Sequence, residues 1–224
     1  MYLSRFALNT ARRGTRQLLG SPQRMHAAVL SCYPPEASTG RVLWRVDRPQ
    51  RHELCLYVVG SAEPDMTALV EQAGWPTTQT WQTTTYAPFL SRLSEGQAWR
   101  FRLAANPVHV LRQEGERRGK VVPHVTVHQQ ERWLREHGQG WGFEVLDPPG
   151  SDEGGVSVTG RHADAFTRRD PGDKDRRGRV TISRVQFDGV LTVTDADRFR
   201  ESLVGGMGRA KAYGCGLMTL ARLR

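Results

Sequence analysis

Two stretches near the start set the architecture: MYLSRFAL at residues 1–8 and SPQRMHAAVLSCYPP at residues 21–35. Aromatic and aliphatic residues stand near alternate positions of the first stretch, which predicts a strand. The second begins with Ser21, a favourable helix N-cap, and with proline at the first helical position. Met25, Val29 and Cys32 then recur at helical spacing. The chain therefore opens with a strand followed by a helix.

The rest of the first half extends this beginning. Strands are predicted at 42–46 and 54–61, a second helix between Glu63 and Gly74, and an extended segment at 80–85. The predicted order is strand, helix, strand, strand, helix, strand.

The second half repeats that order with one additional strand. It has a strand at 99–103, a helix at 128–137, a short strand at 143–146, strands at 180–187 and 190–193, a helix capped by Asp195 and a last strand at 214–223. Asp188-Gly189 predicts a two-residue hairpin between 180–187 and 190–193. We therefore predict an α+β fold of two tandem ferredoxin-like (RRM-like) βαββαβ domains with antiparallel sheets, over residues 1–94 and 95–224. The segments 150–155 and 170–178 are predicted as loops or hairpin tips.

The charge of the chain favours a nucleic-acid partner. The 224 residues carry a net charge of +9, and all the basic residues except Lys120, Lys174 and Lys211 are arginines. Residues 1–35 hold five arginines and no acid, and residues 161–179 hold seven basic residues against four acids. A compositional bias of the genome explains arginine in place of lysine but not this segregation, which is typical of an electrostatic binding surface.

A glycine-rich segment, GGMGRAKAYGCGL at 205–217, is the most informative motif. A dinucleotide-binding fingerprint would follow a strand and carry a third glycine where Lys211 stands, so that interpretation fails. Glycine lets the backbone approach a phosphate chain closely, and Arg209 and Lys211 add positive charge. The segment predicts a phosphate-binding loop and is less well explained as a flexible turn.

His26 is the candidate catalytic residue. It lies on the first predicted helix in the acid-free region, where nearby cations are expected to keep its imidazole neutral. Such a base can activate the 2′-hydroxyl of RNA, and cationic side chains can stabilise the added charge on phosphorus. That chemistry needs no metal. A structural histidine is the alternative interpretation.

Other metal and nuclease motifs are weak. His124 and His128 lack the glutamate of a zinc-binding His-Glu-x-x-His motif, and the acids of 163–175 are scattered among arginines. We predict no metal and no cofactor. The basic residues of 168–179 are predicted to lie in or beside the long loop before the last hairpin, either as a solvated charged loop or as an arginine-rich tip that reaches along the groove of an RNA duplex.

Several segments together resemble the CasE family, the CRISPR repeat-RNA endoribonucleases of type I-E systems. They are MYLSR, SPQRMH, FRLAANPV, FDGVLTV and GMGRAKAYGCGLMTL, in order over essentially the whole chain. The resemblance implies two ferredoxin-like domains and metal-independent cleavage at the base of a CRISPR repeat RNA hairpin, leaving 5′-hydroxyl and 2′,3′-cyclic phosphate ends. It also implies that the enzyme stays on its product and joins the other subunits of the type I-E surveillance complex, Cascade.

The resemblance assigns roles to single residues. His26 matches the family's catalytic histidine, and Gln23 stands where family members often have tyrosine. Gln23 is a candidate for catalytic support because its amide can position a phosphate oxygen, and Tyr33 and Lys211 are the other candidates. The residues expected to bind RNA are Arg12, Arg13, Arg24, Arg168, Arg169, Arg176, Gly206, Gly208, Arg209 and Lys211. Gly214 and Gly216 also match the glycine-rich loop.

Two other classes of function stay open: a non-catalytic RRM-like RNA-binding module of the same complex, and a general basic assembly subunit. No apolar run approaches the roughly 18 residues of a membrane helix, and the start does not resemble a secretory signal. Cys32, Cys55 and Cys215 are odd in number and widely spaced, which disfavours a disulfide framework or a structural zinc site. We expect a cytoplasmic protein without membrane contact.

Overall fold

The computed structural model describes residues 1–34, 40–111, 119–147, 155–170 and 173–223. At 167–170 and 173–179 it describes the backbone but not the side chains. The first half contains β1 (Tyr2–Leu8), α1 (Arg13–Leu19), α2 (Pro22–Leu30), β2 (Leu43–Asp47), β3 (Leu54–Gly60), α3 (Thr67–Ala73), β4 (Trp81–Thr85) and α4 (Ala87–Leu90). The second half contains β5 (Ala98–Ala105), β6 (Val108–Leu111), β7 (Lys120–Pro123), α5 (Val127–Gly138), β8 (Phe143–Val145), β9 (Val156–Asp170), β10 (Asp173–Val193), α6 (Ala196–Gly205) and β11 (Met218–Ala221).

Each half builds a main antiparallel sheet of the same topology, and in the second half β6 and β7 also pair as a separate two-stranded sheet. The first sheet has the order β2-β3-β1-β4 and the second the order β11-β5-β10-β8, which is the arrangement of a βαββαβ unit in both cases. In each sheet the first strand of the unit has a neighbour on both sides: β1 lies between β3 and β4, and β5 lies between β10 and β11. Phe6 of β1, for example, pairs with Leu56 on one side and with Trp81 on the other. The predicted fold class is confirmed.

A long hairpin projects from the second sheet. β9 pairs with β10 from Gly189 out to Asp173, so residues 170 and 173–178 are strand residues near the hairpin tip. Of the two predicted alternatives for 170–178, the hairpin tip is confirmed for these residues and the loop is wrong. The predicted loop at 150–155 falls mostly on residues outside the described ranges. The described residues of the basic segment, 168–170 and 173–179, therefore belong to the strands of a hairpin.

The predicted turn at Asp188-Gly189 is also wrong, because β10 runs through it without a break. Gly189 pairs with Phe101 on one side and with Val156 on the other. A Cβ there would overlap the carbonyl oxygen of Gly155, so the glycine permits close approach of a neighbouring strand and not a turn. Asp188 accepts hydrogen bonds from Arg102 and Thr159.

A buried arginine joins the two halves. The Arg45 side chain on β2 is 2% exposed and donates to the carbonyl oxygens of Arg102 and Leu217 at 2.6 and 2.9 Å. It also donates to Thr219 and forms an ion pair with Asp47 at 2.6 Å. β2 is thereby held against β5 and against the end of the glycine-rich segment.

The helices among the described residues are too short or too polar to cross a membrane. Cys32, Cys55 and Cys215 are free thiols, and all three are buried.

Candidate catalytic site around His26

The site begins with helix α2. Ser21 caps it as predicted, its hydroxyl accepting from the amide of Arg24 at 3.3 Å and donating to Oε1 of Gln23 at 3.1 Å. Met25 is buried in the core, and the adjacent His26 is half-buried at the margin of that face. Gln23 lies three residues before His26 and so on the same side of the helix.

Trp44 on β2 holds the imidazole of His26. Its indole Nε1–H donates to Nδ1 of His26 at 3.3 Å, and its ring is 2% exposed. An accepting Nδ1 carries no proton, so the neutral imidazole carries its proton on Nε2. Nε2 is then the nitrogen available to a ligand.

Burial lowers the pKa of His26 below its ordinary value. The sequence predicted the neutral form but gave the wrong cause, since desolvation of the ring and not the surrounding arginines produces the shift. The imidazole is therefore neutral at pH 7.

The glycine-rich segment packs against the indole of Trp44. Gly206, Gly208, Gly214 and Gly216 all have positive φ. At Gly214, with φ +80°, a Cβ would lie 2.7 Å from Cζ3 of Trp44, so any side chain there would collide with the ring. The indole of Trp44 thus lies between the backbone of the glycine-rich loop and the imidazole of His26 and contacts both.

Lys211 begins the 3₁₀ turn Lys211–Tyr213, which packs against α2. Its ammonium donates to the carbonyl oxygen of Gly205 at 2.8 Å, which closes the loop on itself. Burial, and then the charge of Arg41, lower the pKa of Lys211. The turn that Lys211 begins therefore lies against the helix that carries His26, while its partly desolvated ammonium closes the loop.

A cleft of about 450 Å³ lies between the two N-terminal helices and the base of the β9–β10 hairpin. Trp44 and Gly214 line it, and its charged side chains are those of Arg45, Asp47, Arg48, Arg161 and Arg184. Tyr213 attaches the loop to the hairpin, since its ring centroid is 4.9 Å from that of Phe166. The cleft is positively lined and shares Trp44 with the His26 contact.

The predicted RNA-binding residues fall into three groups. Arg13, Arg24 and Arg209 are exposed, whereas Arg12 donates to the carbonyl oxygen of Glu71 and so serves the packing of α1. The side chains of Arg168, Arg169 and Arg176 lie outside the described residues, although their backbones belong to the hairpin. These three residues lie on the strands of the hairpin beside its tip, and their role stays a prediction.

Tyr33 lies in the core and not on an open surface. Its ring is buried, and its hydroxyl would lie 2.5 Å from a Cβ placed on Gly60. Burial raises the pKa of Tyr33 far above its usual value, which makes it a poor proton donor. The structure therefore does not favour Tyr33 as catalytic support.

Sequence reasoning missed Trp44, Arg161 and Arg184. A tryptophan within a predicted strand indicates core packing. The neighbouring residues of the sequence do not show whether such a tryptophan also donates a hydrogen bond to a candidate catalytic side chain on another element. The pairing of β9 with β10 places Arg161 and Arg184 at the cleft, and the sequence does not predict that pairing.

His124 meets His109, with ring centroids 4.6 Å apart, and the predicted extended conformation near it corresponds to β7. Within the described ranges, no three His, Cys, Asp or Glu side chains gather in a way that could hold a metal ion.

The chain resembles known proteins over its whole length. Residues 1–222 match the model of the family described as CRISPR associated protein. The CRISPR-associated endoribonuclease Cse3 of Thermus thermophilus is 31% identical over 99% of this chain and 100% of that protein. The Cascade subunit CasE of Escherichia coli is 27% identical over the full length of both. A solved structure of CRISPR endoribonuclease Cse3 bound to a 19-nucleotide RNA superposes with a TM-score of 0.79 at 29% identity, covering 99% of this chain and 100% of that one.

Proposed function

The chain belongs to the CasE family of CRISPR-associated proteins, and on that premise we propose that it is a metal-independent endoribonuclease that processes CRISPR precursor RNA. It cleaves at the base of the repeat hairpin and stays bound to the mature guide RNA as a subunit of Cascade. One observation carries the proposal: neutral His26 accepts a hydrogen bond from Trp44, and Trp44 packs against the glycine-rich loop and lines a cleft that also holds four arginines.

The reaction is an attack of the 2′-hydroxyl on the adjacent phosphate. A bond forms between phosphorus and the 2′-oxygen and the bond to the 5′-oxygen breaks, giving a 2′,3′-cyclic phosphate and a 5′-hydroxyl. One proton leaves the 2′-oxygen and one arrives at the 5′-oxygen. His26 contacts the reacting oxygens, while Lys211 and the arginines of the cleft stabilise the charge that develops on phosphate.

The exposed arginines provide most of the affinity for RNA. Arg13 and Arg24 lie on the two helices beside the cleft, and Arg209 lies on the glycine-rich loop. Arg168, Arg169 and Arg176 are proposed to enter the groove of the RNA stem from the hairpin, as the resemblance implies. Contacts of this kind read the shape of the duplex more than its sequence.

The test is cleavage of the repeat RNA from the same genome, with excess EDTA present. We expect His26→Ala to abolish product formation while RNA affinity stays close to that of the unchanged protein. His52→Ala is the matched control, because His52 is an exposed histidine on the loop between β2 and β3. Cleavage that stops with EDTA alone, or persists in His26→Ala, would contradict the proposal.

A non-catalytic RNA-binding module of the same complex is the second candidate. It is favoured by Gln23, whose amide cannot donate a proton as the phenol of a tyrosine does, and by the burial of Tyr33. This alternative predicts tight binding of the repeat hairpin with no product after overnight incubation. The same cleavage assay therefore separates the two candidates.

The partners proposed for the chain are the repeat RNA hairpin and the other Cascade subunits. We further propose that it acts in the cytoplasm, where its transcript is made. A general basic assembly subunit would instead bind RNA without regard to hairpin sequence, with an affinity that falls steeply with salt.

A further inference from the structure

The hydrogen bond between Trp44 and His26 constrains the chemistry of the imidazole. The indole nitrogen can only donate, so Nδ1 of His26 must accept at 3.3 Å. In the imidazolium ion both nitrogens carry protons, and two N–H groups would then face each other. The contact therefore selects one of the three states of the ring, the neutral form with its proton on Nε2.

The indole has little freedom to turn away. Trp44 is 2% exposed, and the backbone of Gly214 lies against its six-membered ring. The next residue, Arg45, is tied to Arg102, Leu217 and Thr219, which holds β2 in place. A buried N–H without an acceptor is costly, so His26 is also the group that satisfies the indole.

We propose that Trp44 is a positioning residue of the cleavage site: its indole N–H holds His26 in the Nε2–H tautomer, so that the ring meets the RNA as a hydrogen-bond donor and not as a base. This inference rests on the proposed function of His26. It differs from the role expected from the sequence, in which His26 removes the proton of the 2′-hydroxyl.

The step remains balanced with His26 as a donor. While the bond from phosphorus to the 2′-oxygen forms and the bond to the 5′-oxygen breaks, Nε2–H donates to an oxygen that gains negative charge. His26 keeps its own proton at the end. The proton of the 2′-hydroxyl passes to water, and the 5′-oxygen takes one from water. A neutral histidine acting as an electrophile is an established catalytic arrangement.

The tautomer can be measured in the RNA-free protein by ¹⁵N NMR, with the His26 signals assigned by their disappearance in His26→Ala. We expect Nδ1 of His26 to be of the unprotonated type and Nε2 of the protonated type at pH 7.5. In Trp44→Phe, which removes the donor, the Nδ1–H tautomer should gain population. A protonated Nδ1 in the unchanged protein would overturn the inference even if Trp44→Phe does not fold.

The second test is the single-turnover cleavage rate at saturating protein. The hydrogen-bond partners of metal-bound histidines typically contribute about 10- to 100-fold to activity. We expect a loss of the same order in the cleavage rate when Trp44→Phe removes the partner of His26, with RNA affinity little changed. Trp81→Phe is the control, since Trp81 packs against the same core cluster. A folded Trp44→Phe that cleaves at the unchanged rate would overturn the inference.

The proposed function and the role of Trp44 can fail separately. If His26→Ala cleaves normally, the proposed function fails, whatever tautomer the spectra report. If His26→Ala is inactive but Nδ1 is protonated, only the role of Trp44 fails.

Discussion

At the scale of single residues, the neutral state of His26 comes from its depth in the protein. The ring lies at the margin of the buried face of α2, and its desolvation disfavours the charged form. In the unfolded chain the same side chain titrates near its ordinary pKa of about 6.5. The folded and unfolded states therefore bind different numbers of protons in mildly acidic solution.

This difference predicts how stability changes with pH. Because the folded pKa of His26 is lowered, the unfolded state binds the extra proton as the pH falls below about 6.5, and the free energy of unfolding decreases. Above that pH both states are neutral at this site, and the contribution is constant. The measurement is urea unfolding between about pH 7.5 and pH 5.5.

His26→Gln is the control, because an amide oxygen can still accept from Trp44 but does not titrate. The acid-induced decrease in stability should be smaller in this variant. An equal decrease in both proteins would show that His26 does not contribute to it.

At the scale of secondary-structure elements, α1 and α2 each bury apolar side chains on one face and expose arginines on another. Thr15 and Leu18 of α1 and Met25 of α2 are buried, whereas Arg13 and Arg24 are exposed. An exposed cation near a phosphate binds by displacing counterions, so its contribution depends on salt. These helices are therefore expected to act as a positively charged edge of the cleft.

The double substitution Arg13→Ser with Arg24→Ser tests this expectation. Repeat-RNA affinity should fall, and the slope of log affinity against log salt should become less steep by about 0.7–0.9 for each phosphate that the variant no longer neutralises. Arg198→Ser is the matched control, because Arg198 on α6 is exposed and lies 3.8 Å from Asp195. A change in slope for Arg198→Ser as large as that for the double variant would contradict the assignment.

At the scale of the whole molecule, the two halves are joined by buried polar bonds as well as by apolar contacts. Leu43 and Val59 of the first sheet belong to the same core cluster as Leu103 and Met218 of the second. Arg45 of β2 adds hydrogen bonds to the carbonyl oxygens of Arg102 and Leu217 in the second half. The position of Trp44, and with it of His26, depends on this contact between the sheets.

Arg45→Met should lower the free energy of unfolding by up to about 3–5 kcal/mol, because it leaves the buried carboxylate of Asp47 with only the more distant Arg102, at 3.7 Å, as an ion-pair partner. Chemical denaturation measures the change. Adding Asp47→Leu should recover a large part of that stability, since no buried charge is then left uncompensated. A double variant as unstable as Arg45→Met alone would contradict this explanation.

The predicted and observed elements agree where the signal is local. Three predictions that depend on residues within a few positions are confirmed: the strand from the alternating apolar residues of 1–8, the helix cap at Ser21 and the end of a helix at Gly74. Asp188-Gly189 misled for the same reason: the pair favours a turn locally, but strand pairing on both sides of β10 prevails. Helix α1 was missed because no side chain caps it.

Local sequence was enough to specify two βαββαβ units, the basic character of the surface and His26 as the residue to examine. It could not specify which nitrogen of His26 carries the proton, since the donor lies 18 residues away on another element. Nor could it assemble the cleft, whose walls come from both halves of the chain. Propensity and capping act between near neighbours, whereas hydrogen bonds and desolvation at this site arise only when the two sheets pack together.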